Sequence, residues 1–299
     1  MTIGDTEHRG RSMELDLTGE TSPYPFYEAK RSTDPVWHGT VSDYRSYPPE
    51  LIPDDKWTVF DYNSVLQVFK QDVTFSSEAY ARTVNLVLGP SMLGMGGKEH
   101  RDHRDLVAKA FRASSLARWE PQIIAPIVNG LIDEISSKGE ADLVQSLTFE
   151  FPTRVAATLL GLPHEDLGMF RKLSFDLISI AADIEAALKA SAELAEYFQG
   201  QIEQRRRTMT DDIIGDLVGA EIEGQKLTDE AIIAFLRLLL PAGLETTYRS
   251  SGNLLYLLLA HPNQLEQVYN NRELVPAAIE EGLRYETPLT AVLRTAAHD

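Results

Sequence analysis

Cysteine is absent from all 299 residues. That excludes disulfides, thiolate metal sites and cysteine nucleophiles from this stretch of chain. Cations are scarce as well: 28 lysines and arginines stand against 45 acids, a formal net charge of −17. Nucleic acid is therefore not an expected partner, and the acidity reads first as solubility. A long unbroken apolar run is also missing. The longest, Ala231 to Leu244, is interrupted by Arg237 and Pro241, too short and too broken to span a bilayer. The opening residues, MTIGDTEHRGRSMELDLTGE, have no apolar core of the kind a signal peptide needs. A cytoplasmic protein without membrane attachment is the expectation. No internal repeat or low-complexity tract is present.

What remains is an ordinary globular composition, 43% apolar and 24% charged. Residues 1–22 read as a loose arm. Trp57 to Phe60 is a short β-prone run, followed by a helix pattern over Asn63–Lys70. NLVLGPSMLGMGG (85–97), rich in glycine and methionine, reads as a pliable loop. KEHRDHRDLVAKAFRASSLARW (98–119) reads as a helix. From 121 to 206 helical patterns recur, with breaks at Ser137–Gly139, Gly161–Pro163 and Gly200. Glycines 215, 219 and 224 give turn signals. Thr228 then suits an N-cap, with Asp229 and Glu230 in the first turn. The helix it starts runs to about Ala260, where His-Pro stops it. Roughly 32 residues at about 1.5 Å each give about 48 Å. It is apolar nearly all round, which predicts burial on most sides.

That helix is spoiled in its middle by PAGLETTYRSSG (241–252). Pro241 has no N–H to give the Arg237 carbonyl and crowds it. Gly243 removes bulk, so something flat can approach the backbone. Thr246 can fold its hydroxyl back to the Ala242 carbonyl and open the helix locally. Glu245 can relay protons if partly desolvated. The predicted result is a kinked, widened turn carrying a hydroxyl and a carboxyl at a glycine-made gap. A proline kink with satisfied threonines explains the same residues as packing alone. EEGLRYETP places Glu281 and Arg284 at i, i+3 on one helix face, a spacing most often found in solvated surface pairs. EHRDHRDL puts His100 and Arg104 at i, i+4, and Arg294 ends the strand-like run PLTAVLR.

In this order and at these distances, the motifs resemble the cytochrome P450 family of haem-thiolate monooxygenases. AGLETT resembles the family's oxygen-binding signature, EGLR its Glu-x-x-Arg helix, KEHRDHRDLVAKAF its His-x-x-x-Arg helix, and LRTA the strand with a later haem-contacting arginine. The resemblance covers about residue 25 to the end. It implies a mainly α fold with a small β-sheet, C-terminally truncated, with residues 23–299 as one incomplete domain. It also implies haem b, dioxygen, an apolar small-molecule substrate and a ferredoxin-type electron donor. By position, His100, Arg104 and Arg294 would hydrogen-bond haem propionates, as cations suit. Ala242 and Gly243 would lie against the porphyrin. Thr246 would hold reduced dioxygen, and Glu245 would help deliver protons for oxygen–oxygen cleavage. Glu281 and Arg284 would be a buried structural pair. Pro241 departs from the pattern, which puts water placement in the groove in question.

The family's iron-ligating cysteine has no counterpart here, so no metal ligand is assigned. His100 and His103 do not substitute for it, because Arg101 and Arg104 beside them repel a cation. The first reading is the N-terminal portion of a haem monooxygenase. The alternative is a non-catalytic helical interaction protein that kept the front of the fold. Six basic residues in 98–118 stand against three acids, a patch that can steer an acidic donor. Substrate contacts would come from the 78–97 segment, the helices around 165–205, and the central helix near Leu239 and Leu240. Leu86, Val87, Leu88, Met92, Leu93 and Met95 suit an apolar cavity wall or core packing alike.

Overall fold

The chain is helical over most of its length, as its apolar periodicity dictates. The computed structural model describes residues 13–14, 22–41, 52–53, 55–108, 110–180, 183–222 and 224–297. Strand β1 (Met13–Glu14) pairs parallel with β2 (Val36–Thr40), which pairs antiparallel with β3 (Trp57–Val59). Two residues of the expected N-terminal arm are thus part of a sheet, and the rest of 1–21 lies outside the described residues. β4 (Phe75–Ser76) stands apart. β5 (Glu221–Ile222) and β6 (Gln225–Lys226) form a hairpin that turns at Gly224, φ 78°. β7 (Thr295–Ala296) returns to pair antiparallel with β4. Aromatic packing ties the first helix, Tyr24–Thr33, to the three-stranded sheet. Phe26 meets Trp37 at 5.4 Å and Phe60 at 5.9 Å between ring centroids.

The core lies where the helix Ile184–Arg207 packs on Leu167–Ile178, Ile213–Gly219 and Asp229–Leu240. Phe170, Leu194, Phe198, Ile202, Ile214, Ile232 and Leu236 are fully buried there. One buried ion pair fastens this layer. Arg205 contacts Asp212 at 3.0 Å, and their side chains are 4% and 8% exposed. Arg205 also donates to the carbonyls of Leu160 and Gly161, at 3.2 and 2.7 Å. Asp212 caps the next helix by accepting from the Gly215 N–H at 2.8 Å. Both ions are surrounded by further partners, the condition under which a buried pair is tolerated.

Several local expectations change in the structure. Residues 98–119 form two helices, Gly97–Ala108 and Ala113–Trp119. The break lets Phe111 pack edge-on to Trp119 and Phe235, at 5.7 and 6.3 Å. Gly200 does not interrupt its helix. Its position is exposed, and the buried Phe198 and Ile202 on either side outweigh the roughly 1 kcal/mol preference against glycine. Gly215 and Gly219 likewise lie within a helix. In the expected loop, Val84–Leu88 is a helical turn with Val87 and Leu88 fully buried, so core packing accounts for those two.

The central helix runs from Asp229 to Ala260, 32 residues, with the Thr228 hydroxyl capping the Ala231 N–H at 3.1 Å. By length and composition it meets the requirements of a membrane span. Its first half instead forms core: Ile232 to Leu236, Leu238 and Leu240 are buried. Burial ends at Leu244, and no residue of Thr246–Ala260 is buried. The expectation of burial on most sides therefore holds for half of the helix. Beyond Leu244 the helix lies against Val275–Tyr285 and the turn Val144–Thr148.

Candidate functional site

The predicted widening of the central helix is present as a π-helical turn, Pro241–Glu245. It begins at the proline, where the N–H of the regular ladder is missing. Thr246 Oγ1 donates to the Ala242 carbonyl at 2.7 Å, as its position in the sequence predicts. Thr247 does the same to Gly243 at 2.7 Å, and Ser251 to Thr247 at 2.7 Å. Each returns a hydroxyl to the carbonyl four residues earlier, a bond that tends to open or bend a helix locally. Ala242 is exposed. A Cβ built on Gly243 would meet nothing closer than Leu239 Cδ1, at 4.0 Å. The turn thus offers a bare patch of backbone beside a threonine and a carboxylate.

Glu245 is half-buried and paired with Arg249, one turn along, at 2.7 Å. Sequence reasoning did not single out Arg249, although Glu-x-x-x-Arg is a readable i, i+4 spacing. Tyr248, beside it, packs edge-on to Phe149 at 5.5 Å.

The remaining predicted residues fall on three other elements. His100 and Arg104 lie one turn apart on the Gly97–Ala108 helix. His100 is half-buried, and Arg104 is exposed with no ion pair among the described residues. Of the basic patch around them, Lys98 pairs with Asp102 at 2.5 Å and Arg118 with Asp211 at 3.4 Å. Lys109 lies outside the described residues. Arg294 donates to the Leu293 carbonyl at 2.7 Å and sits 5.4 Å over the Phe69 ring. Glu281 and Arg284 do pair, through two bonds of 2.7 and 2.8 Å. The pair is not buried, however: its side chains are 62% and 67% exposed. Gly282 between them faces inward onto Leu254, which turns the two charged groups away from the helix packing.

A porphyrin with two propionates asks for a flat apolar surface and cations free to meet anions. The bare turn at Ala242–Gly243 and Arg104, without an ion pair among the described residues, fit that group. The iron's thiolate ligand is not supplied by these residues, since no cysteine occurs among them.

The family model described as Cytochrome P450 matches residues 50–299. The chain belongs to the cytochrome P450 family. A putative cytochrome P450, YjiB of Bacillus subtilis, is 34% identical over 286 residues, covering 93% of this chain and 68% of its own. Cytochrome P450(BM-1) of Priestia megaterium is 33% identical, covering 81% of this chain and 63% of its own length. Among solved structures, CYP109E1 from Bacillus megaterium, determined with testosterone, is 36% identical with a TM-score of 0.77. It covers 92% of this chain, and this chain covers 69% of it. CYP109Q5 from Chondromyces apiculatus is 29% identical, TM-score 0.83, with 96% and 72% covered. P450s bind haem b and act as monooxygenases on small molecules with dioxygen. The π-turn, the Glu245–Thr246 pair and the His100–Arg104 helix are therefore parts of a P450 fold. This P450 chain spans roughly two thirds of the length of those relatives.

Proposed function

We propose that this P450 chain forms the oxygen-activating part of an enzyme that inserts one oxygen atom from dioxygen into an apolar small molecule. The observation that carries the reading is the π-helical turn Pro241–Glu245, with Thr246 bonded to Ala242 and a bare glycine at its centre. When bound, haem supplies the iron at which dioxygen is reduced. Ala242 and Gly243 would lie against its face, and His100, Arg104 and Arg294 would hold its propionates. Thr246 orients its hydroxyl through Ala242, and Glu245 takes protons from solvent at its half-buried carboxylate and passes them toward that hydroxyl. Glu281 and Arg284 stiffen the Val275–Tyr285 helix. An acidic ferredoxin-type donor would dock on the Gly97–Ala108 helix, where Arg101 is exposed without an ion pair among the described residues. The reaction is placed in the cytoplasm.

The test is the protein expressed from its complete natural reading frame. Its reduced, carbon-monoxide-bound spectrum is expected to show thiolate-ligated haem, and labelled dioxygen is expected to leave one atom in the product. Failure to retain haem in a stably folded protein would sink this reading. That outcome would favour a helical interaction protein without haem chemistry.

A further inference from the structure

Arg237 is the single charged residue between Ala231 and Leu244. Its side chain leaves the central helix and meets two other elements. Nη1 donates to Ser191 Oγ at 2.6 Å and lies 3.4 Å from the Ser191 carbonyl, on the helix Ile184–Arg207. Nη2 presses on Gly89, where an added Cβ would sit 2.6 Å away. The Ser191 hydroxyl is in turn hydrogen-bonded to the Val87 carbonyl. Arg237 therefore joins the 78–97 segment, the 165–205 helices and the central helix two residues before Leu239. Those are the three elements assigned to substrate contact.

The charge on Arg237 has no counter-ion among the described residues. Its hydrogen bonds go to a hydroxyl and carbonyl oxygen, and no carboxylate pairs with it among the described residues. Nε is buried with no hydrogen-bond partner among the described residues. Burial pulls the guanidinium below the usual arginine range, and Glu230 opposes that only through space. A cation held this way is costly. An apolar residue would fill the same place at lower cost if packing were its only role. The residue is half-buried and not sealed, so a ligand can reach it.

We propose that Arg237 receives a carboxylate on the substrate, so that the molecule oxidised has an apolar body and an anionic end. A carboxylate matches the planar fork of a guanidinium and replaces neutral partners with a charged one. The word substrate rests on the oxygenase reading; the anion site itself does not need haem.

Dodecanoate and dodecanol are a matched pair of probes, titrated calorimetrically into the protein expressed from its complete reading frame. Dodecanoate is expected to bind about tenfold more tightly or better, the gain typical of one charge-assisted hydrogen bond. Arg237→Gln keeps a donor for Ser191 and removes the charge, and should bring the two probes to about equal affinity. Ser191→Ala leaves the guanidinium in place and should keep the preference, which covers the case in which Arg237→Gln does not fold. Equal affinities in the unaltered protein, no binding of either probe, a preference that survives Arg237→Gln, or one lost in Ser191→Ala overturns the proposal. The haem spectrum of the same sample separates the two readings. Haem without carboxylate preference removes only the anion site, whereas an Arg237-dependent preference without haem removes only the oxygenase reading.

Discussion

Glu245 and Arg249 face each other across one turn of the central helix, 2.7 Å apart, immediately after the π-turn. The carboxylate is thus held by its own helix while Thr246 beside it is turned toward Ala242. The pair is half open to water: the glutamate side chain is 28% exposed and the arginine 48%. That arrangement suits a group that exchanges protons with solvent, and an exposed pair of this kind adds little to stability.

Glu245→Gln should therefore separate activity from folding. Product formation is expected to fall about 10²-fold, the scale of a lost general acid–base group. Arg249→Met should change unfolding free energy by less than about 1 kcal/mol. Turnover with measured product, set beside a denaturant titration, checks both.

Arg205 should behave in the opposite way. Its removal leaves Asp212 charged inside the core and frees the Leu160 and Gly161 carbonyls. Arg205→Ala is expected to cost about 3–5 kcal/mol, read as a lower denaturant midpoint, with no direct effect on the π-turn.

Gly89 and Arg237 should be energetically coupled. Gly89 has φ 81°, and its missing Cβ makes room for Nη2. Gly89→Ala is expected to cost about 1–3 kcal/mol from the backbone alone, and more with Arg237 present. A double-mutant cycle with Arg237→Gln should recover at least about 0.5 kcal/mol. Strict additivity would show that the guanidinium does not depend on the glycine.

Tyr24 gives a pH signature. Burial, and then the Glu286 carboxylate beside it, push its phenol from 10.0 up to about 12. The folded protein therefore favours the protonated phenol. Its contribution is complete below pH 10 and is lost as pH rises through about 12. The Tyr24 hydroxyl lies 3.5 Å from the Tyr285 carbonyl, so contact between the first helix and Val275–Tyr285 should loosen in that window. Tyr24→Phe should remove this component of the alkaline transition in a fluorescence-monitored pH titration.

Features that depend on a few neighbouring residues were legible in the sequence. The Thr228 cap, the stop at Ala260 and the Thr246 back-bond each involve groups within four positions of one another. The break after Ala108 was not, because it serves a meeting of Phe111 with Phe235 that no local pattern encodes. Glu281 and Arg284 were readable as a pair but not in their exposure, which depends on what lies against that helix face. Within the site, Arg249 stood at a readable spacing and was passed over. The Arg237–Ser191 contact spans 46 positions and needed the fold.

The hydroxyl back-bonds of the central helix also fix what the π-turn can show a guest. Thr246 and Thr247 each carry a single hydroxyl hydrogen, and each is committed to a carbonyl of its own helix. What the two side chains turn outward is therefore lone pairs. The turn greets an incoming molecule as an acceptor, and favours one that brings its own proton.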